Sequence, residues 1–146
     1  MQKNEYYRIT VAHALSGYQL IESSLKQYLR VYYYLVGVLV GDRLHFGFGQ
    51  DDIQKHPLGR LVQLFSKACA DTDLVCRLRS VQEHRDEIAH RALLCLYSDD
   101  TSDDEYVERS RELVKQADLL AELLQALHIE LIKLEKLAES LSDKQA

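Results

Sequence analysis

Proline occurs once and glycine six times in 146 residues. So few chain breakers cannot supply the many turns of an all-β sandwich, and helix is the expected class. Cysteine is equally sparse. Cys69, Cys76 and Cys95 are odd in number and lack C-x-x-C spacing. They suggest neither a disulfide framework nor a zinc ribbon, and read as free, buried thiols in a reducing cytosol. Long apolar runs are missing too. The longest uncharged one, Val31 to Gly41, is eleven residues, against the roughly 20 needed to span a bilayer. The opening MQKNEYYRIT lacks the apolar stretch of a signal peptide. These absences point to a soluble, cytoplasmic protein with no membrane partner.

What is present is an ordinary globular composition. Hydrophobic residues make up 47% and charged residues 28% of the chain, which excludes a disordered or collagen-like polymer. The length fits one domain, residues 1–146. Net charge is −5, carried entirely by the C-terminal third, where residues 99–146 hold thirteen acids against six bases. An acidic chain is not a general nucleic-acid coat protein, although a small site handling one phosphate remains open.

Apolar spacing predicts four main helices. Val11, Ala14, Tyr18, Ile21, Leu25, Tyr28, Tyr32 and Leu35 alternate steps of three and four, giving a helix from about Asn4, its expected N-cap, to the high thirties. The stretch RLHFGFGQDDIQKH reads as a loop; its G-x-G lacks the residues that would make it a phosphate loop. Pro57 suits the first turn of a short second helix. Asp71 or Thr72 caps a third helix running to about Tyr97, with the stripe Leu74, Leu78, Val81, Arg85, Ile88, Ala92 and Cys95. Ser102 or Asp103 starts a last helix reaching about Leu141, with leucines at helical spacing from Leu113 onward. Its length predicts that part of it packs on a partner subunit. Four helices, two of them long, read as an α-helical bundle.

One residue breaks the third stripe. Arg85 stands where an apolar side chain is expected, and a buried guanidinium without a partner is costly, so it must be paired or must face water or a subunit boundary. Asp86 and His90 are four apart and project within about 40° of each other, so the carboxylate can orient the imidazole, while Arg85 lies about 140° from His90.

The segment R-D-E-I-A-H, Arg85 to His90, resembles the R-x-x-x-x-H motif of the HEPN superfamily (higher eukaryotes and prokaryotes nucleotide-binding domains). The layout is also similar to prokaryotic members: Glu22 sits mid-way along a long first helix in YQLIESSLKQYL, HPLGRLVQLF follows, and the motif lies late in the third helix before a long final one. The resemblance covers most of the chain. It implies a small all-α domain that dimerises with its motif helices face to face. It also implies a metal-independent endoribonuclease, often a toxin or phage-defence effector, in which Arg85 and His90 from both subunits form one composite site.

The residue types suit that chemistry. Attack by the RNA's own 2′-hydroxyl needs a base near neutral pH, which histidine supplies, and a fixed Arg fork stabilises charge on the phosphoryl oxygens. Asp86 would hold the imidazole tautomer, and Glu22 is a candidate supporting partner for Arg85. No metal-ligand set is apparent and no cofactor is implied; RNA is the expected substrate, with a protein antitoxin or regulator as a further partner. In members silenced by nucleotidyl transfer to a tyrosine two positions past the motif histidine, that position is here Ala92, so such control is not implied.

Set beside this is a blander reading. Arg85 would be one member of a surface salt-bridge cluster with Glu22 or Glu83, and the chain a non-catalytic helical interaction or nucleotide-binding module. His84 reads as solvated, His13, His45, His56 and His128 as surface positions, and Tyr32, Tyr33 and Tyr34 as packing residues that face three directions.

Overall fold

A computed structural model describes residues 2–97 and 100–145. All regular structure among them is helical: α1 (Lys3–Val40), α2 (Gln50–Gln54), α3 (Leu58–Ala68), α4 (Thr72–Tyr97) and α5 (Asp103–Gln145). Four of these match the expected helices. The five-residue α2 falls inside the stretch read as a loop, where Asp52 accepts a hydrogen bond from the Gly49 N–H at 2.7 Å and Ile53 is fully buried beneath it. A single buried isoleucine among polar neighbours leaves no periodicity to detect.

Helix starts follow local chemistry. α1 begins two residues early relative to the Asn4 cap: Gln2 is the N-cap, its N–H donating to the Glu5 carboxylate at 3.3 Å. Pro57 is the N-cap of α3 and not its first-turn residue. Asp71 Oδ1 accepts from the Leu74 N–H at 3.0 Å at the start of α4, and Ser102 Oγ from the Glu105 N–H at 3.3 Å at the start of α5. Ser98 and Asp99 lie outside the described residues. α1 ends at Gly41, the one described residue with positive φ, at 56°, where a Cβ would be strained.

α1 packs on each of the other four helices. It runs parallel to α5: the Tyr7 and Tyr106 rings lie 5.4 Å apart at one end, and a Cβ on Gly17 would come within 3.0 Å of Leu120 farther along. That close approach explains glycine in mid-helix, where it otherwise costs about 1 kcal/mol relative to alanine. α4 runs the opposite way, Val81 lying beside Tyr18 and Cys95 in one cluster with Tyr7. The turn from α4 to α5 is tied by Thr101 Oγ1 and Tyr106 Oη, both donating to the Cys95 carbonyl at 3.3 Å.

The stripes converge on two apolar clusters. The larger joins Ile21, Leu25 and Leu29 of α1 with Leu61 and Phe65 of α3, Leu78 of α4, and Leu120, Leu123 and Leu127 of α5. The smaller joins Tyr7, Val11 and Ala14 with Ala92, Cys95 and Leu113, and Ile88 touches both. Burial of side chains this size contributes about 1.5–3 kcal/mol each before entropy is charged. Tyr32 and Tyr33 are half-buried among aromatic neighbours, with Phe46 and Phe48 from the glycine-bearing loop set against Tyr33. Cys69 and Cys95 are buried as expected, whereas Cys76 is exposed, because it falls off the α4 stripe between Val75 and Arg77. No helix among the described residues is long and apolar enough to cross a membrane.

α5 is 43 residues long, about 65 Å. Its inward residues are fully buried only as far as Leu127; Leu131, Leu134, Ala138 and Leu141 are half-buried, and Leu137 is exposed.

Candidate functional site

Arg85, Asp86 and His90 all lie in the C-terminal half of α4. Arg85 falls between Val81 and Ile88, level with the seam between the two core clusters, and its side chain is 42% exposed. Helical geometry thus gives the guanidinium a route to water from a core-facing position.

The charged partners differ from those expected. Arg85 Nη1 meets Asp86 Oδ1 at 3.3 Å, and the Asp86 side chain is 95% exposed. Glu22, the candidate partner from α1, pairs with Lys26 at 3.2 Å, one turn along its own helix. Neither Glu22 nor Glu83 holds Arg85. Two oppositely charged residues four apart on one helix meet more readily than two on neighbouring helices, which explains the Glu22–Lys26 pair. His90 is exposed and takes part in no hydrogen bond or ion pair among the described residues. Asp86 therefore stands with Arg85 and not with the imidazole. His84 is exposed, as expected, and lies 3.6 Å from Glu87, which also pairs with Arg91 at 2.7 Å. These side chains lie on the α4 flank that faces α5.

Around His90, the outer face of α4 carries exposed apolar side chains. Leu93 and Leu94 are more than half exposed, and Tyr97 is 86% exposed. Together with Asp86 and His90 they make a surface on which apolar and ionisable groups are interleaved.

Beneath Arg85 lies a polar connection that apolar periodicity did not reveal. The Tyr18 hydroxyl, on a residue 1% exposed, donates to the Val81 carbonyl at 2.8 Å and accepts from Gln116 Nε2 at 2.7 Å. One chain of hydrogen bonds thus links α5, α1 and α4. Burial raises the Tyr18 hydroxyl above its ordinary pKa, while the Gln116 hydrogen bond and the nearby Arg85 charge pull it back. The available signal was chemical: a tyrosine on a core stripe needs a partner for its hydroxyl.

Gln116 also borders a groove of about 560 Å³ between α4 and α5, floored by Tyr7, Ile88 and Leu113 and walled by Glu87, Arg91, Glu108, Arg109 and Glu112. The groove lies on the flank of α4 away from His90. Burial, followed by the neighbouring Cys95, pushes Tyr7 up to about 12, so it is a neutral hydroxyl in this setting. Among the described residues, no group of three or more His, Cys, Asp or Glu side chains is arranged to hold a metal ion.

No protein-family model matches the chain, and no curated protein or solved structure is significantly similar to it. The arrangement of its own residues carries the functional argument.

Proposed function

We propose that this chain is a HEPN-like, metal-independent endoribonuclease whose working site forms between two copies, using Arg85 and His90 with Asp86 in support. The observation that carries the reading is Arg85 itself: a cation on a core stripe whose only ion pair among the described residues is with a solvent-exposed neighbour on the same helix. A guanidinium committed to holding the fold would be expected to pair across helices; this one keeps donors free for an anionic ligand.

His90 supplies the complementary chemistry. One imidazole takes the proton of a ribose 2′-hydroxyl as its oxygen attacks the adjacent phosphorus. The P–O5′ bond breaks, and a second imidazole, from the other copy, protonates the leaving 5′-oxygen. The products are a 2′,3′-cyclic phosphate and a 5′-hydroxyl, and Arg85 stabilises charge on the non-bridging oxygens. In one chain Asp86 serves Arg85, so its role in orienting His90 belongs to the dimer or to the RNA-bound state.

Dimerisation with α4 facing α4 would cover Leu93, Leu94 and Tyr97 and bring the two His90 side chains toward one another. The helices would then act as one bundle per subunit, with the exposed end of α5 available to a partner. A toxin or phage-defence role in the cytoplasm, restrained by a protein antitoxin, fits such an enzyme.

A second reading is a non-catalytic module that binds a protein or nucleotide, and the charged groove between α4 and α5 favours it, since the ribonuclease reading makes no use of it. The experiment that tests the proposal is end analysis of RNA incubated with purified protein in EDTA, together with sedimentation of the protein. Cyclic-phosphate ends from a dimer support it; a monomer that leaves RNA intact supports the module.

A further inference from the structure

The seam that holds Arg85 is built by residues outside the motif. We infer that Tyr18 and Gln116 are positioning residues for Arg85, an inference that rests on the ribonuclease reading and extends it. In α4 the Val81 carbonyl accepts the Arg85 amide, four residues on, so this one oxygen anchors the turn that carries the guanidinium. The Tyr18 hydroxyl donates to the same oxygen at 2.8 Å, and Gln116 orients the hydroxyl by donating to it at 2.7 Å. The Arg85 turn is thereby tied to both parallel long helices at once.

Position in the core makes the tie consequential. Apolar packing is continuous above and below, and among the described residues Ile88 alone bridges the two clusters at this level. Dispersion contacts let a helix slide or rotate slightly, whereas a linear hydrogen bond to one carbonyl fixes both its height and its rotation. A chain of donors running amide to hydroxyl to carbonyl also polarises each successive bond. An arginine that must meet a phosphoryl group needs its backbone held, because errors of an ångström in placement cost catalysis heavily.

Tyr18→Phe and the double variant Tyr18→Phe/Gln116→Leu separate positioning from stability. Removing the hydroxyl alone leaves the half-buried Gln116 amide without its partner, whereas replacing both polar groups with apolar ones returns most of the stability. With a structured RNA substrate, Tyr18→Phe is expected to lower kcat about tenfold with KM unchanged within twofold, a loss typical of disturbed orientation. The double variant is expected to regain its melting temperature but not its kcat. A kcat that recovers along with the melting temperature, or a wild-type kcat in Tyr18→Phe, overturns the inference.

Amide hydrogen exchange supplies a readout that needs no activity. In Tyr18→Phe, exchange at Arg85 is expected to accelerate at least tenfold relative to Leu78, the nearest fully buried residue one turn before Val81. Equal acceleration at both sites, or none, overturns the positioning role. A wild-type chain that cleaves no RNA but shows the selective acceleration would defeat the ribonuclease reading and leave the mechanical tie standing.

Discussion

Arg85→Leu tests whether the break in the α4 stripe serves the fold or the site. The structure sets the stability cost. The lost ion pair joins a 42% exposed side chain to a 95% exposed one, a geometry in which such pairs contribute about 0–1 kcal/mol. The liberated Asp86 stays hydrated, so no buried charge is stranded. Leucine continues the stripe from Val81 to Ile88, and about 40 Å² of additional apolar burial would return about 1 kcal/mol. The two terms cancel to within about 1 kcal/mol. At an m value of about 1.5 kcal/mol/M, the urea midpoint should then move by less than about 0.7 M. Circular dichroism at 222 nm measures this directly, and RNA cleavage by the same preparation should be abolished. A loss of about 3 kcal/mol or more would refute the reasoning, because it is the signature of a buried ionic network broken on one side.

Other consequences follow from packing and titration. Leu123, fully buried, should cost about 2–5 kcal/mol when changed to alanine, whereas Leu137→Ala, half exposed, should cost under about 0.5 kcal/mol in dilute monomer; a large, concentration-dependent Leu137 effect would show that the end of α5 is covered by a partner. Gly17→Leu should destabilise by about 2–3 kcal/mol, since even its Cβ would meet Leu120 at 3.0 Å, and unchanged thermal stability would contradict the close approach of α1 and α5. Burial pushes Tyr7 and Tyr28 up to about 12, against an ordinary value of 10.0. Between pH 10 and 12 the unfolded chain therefore holds fewer protons than the folded one, and stability falls as pH rises. Each contributes on the order of 2–3 kcal/mol that is fully present below about pH 10 and lost through 12, so urea midpoints that stay level across that window would refute the assignment.

Helix type and position were legible because each long helix repeats its apolar signal many times. α4 shows it best: Leu74, Leu78, Val81, Ala92 and Cys95 are all buried, and Arg85 is visible as the break because its neighbours obey the rule. α2 was not legible, since five residues with one buried isoleucine carry no period. Side-chain partners were legible only in part. Spacing brings Asp86 within reach of both Arg85 and His90, and cannot say which rotamer satisfies which charge. The Tyr18–Gln116 bond joins residues 98 apart in the chain, a separation that local patterns do not encode.

The measurement closest to the central claim compares wild type with His90→Ala, purified identically, on one structured RNA in EDTA. His90 is exposed and bonded to no described residue, so its removal should leave the melting temperature within a degree or two. The account predicts cleavage by wild type alone, with 2′,3′-cyclic phosphate ends. Equal cleavage by both proteins, or none by either, would contradict it.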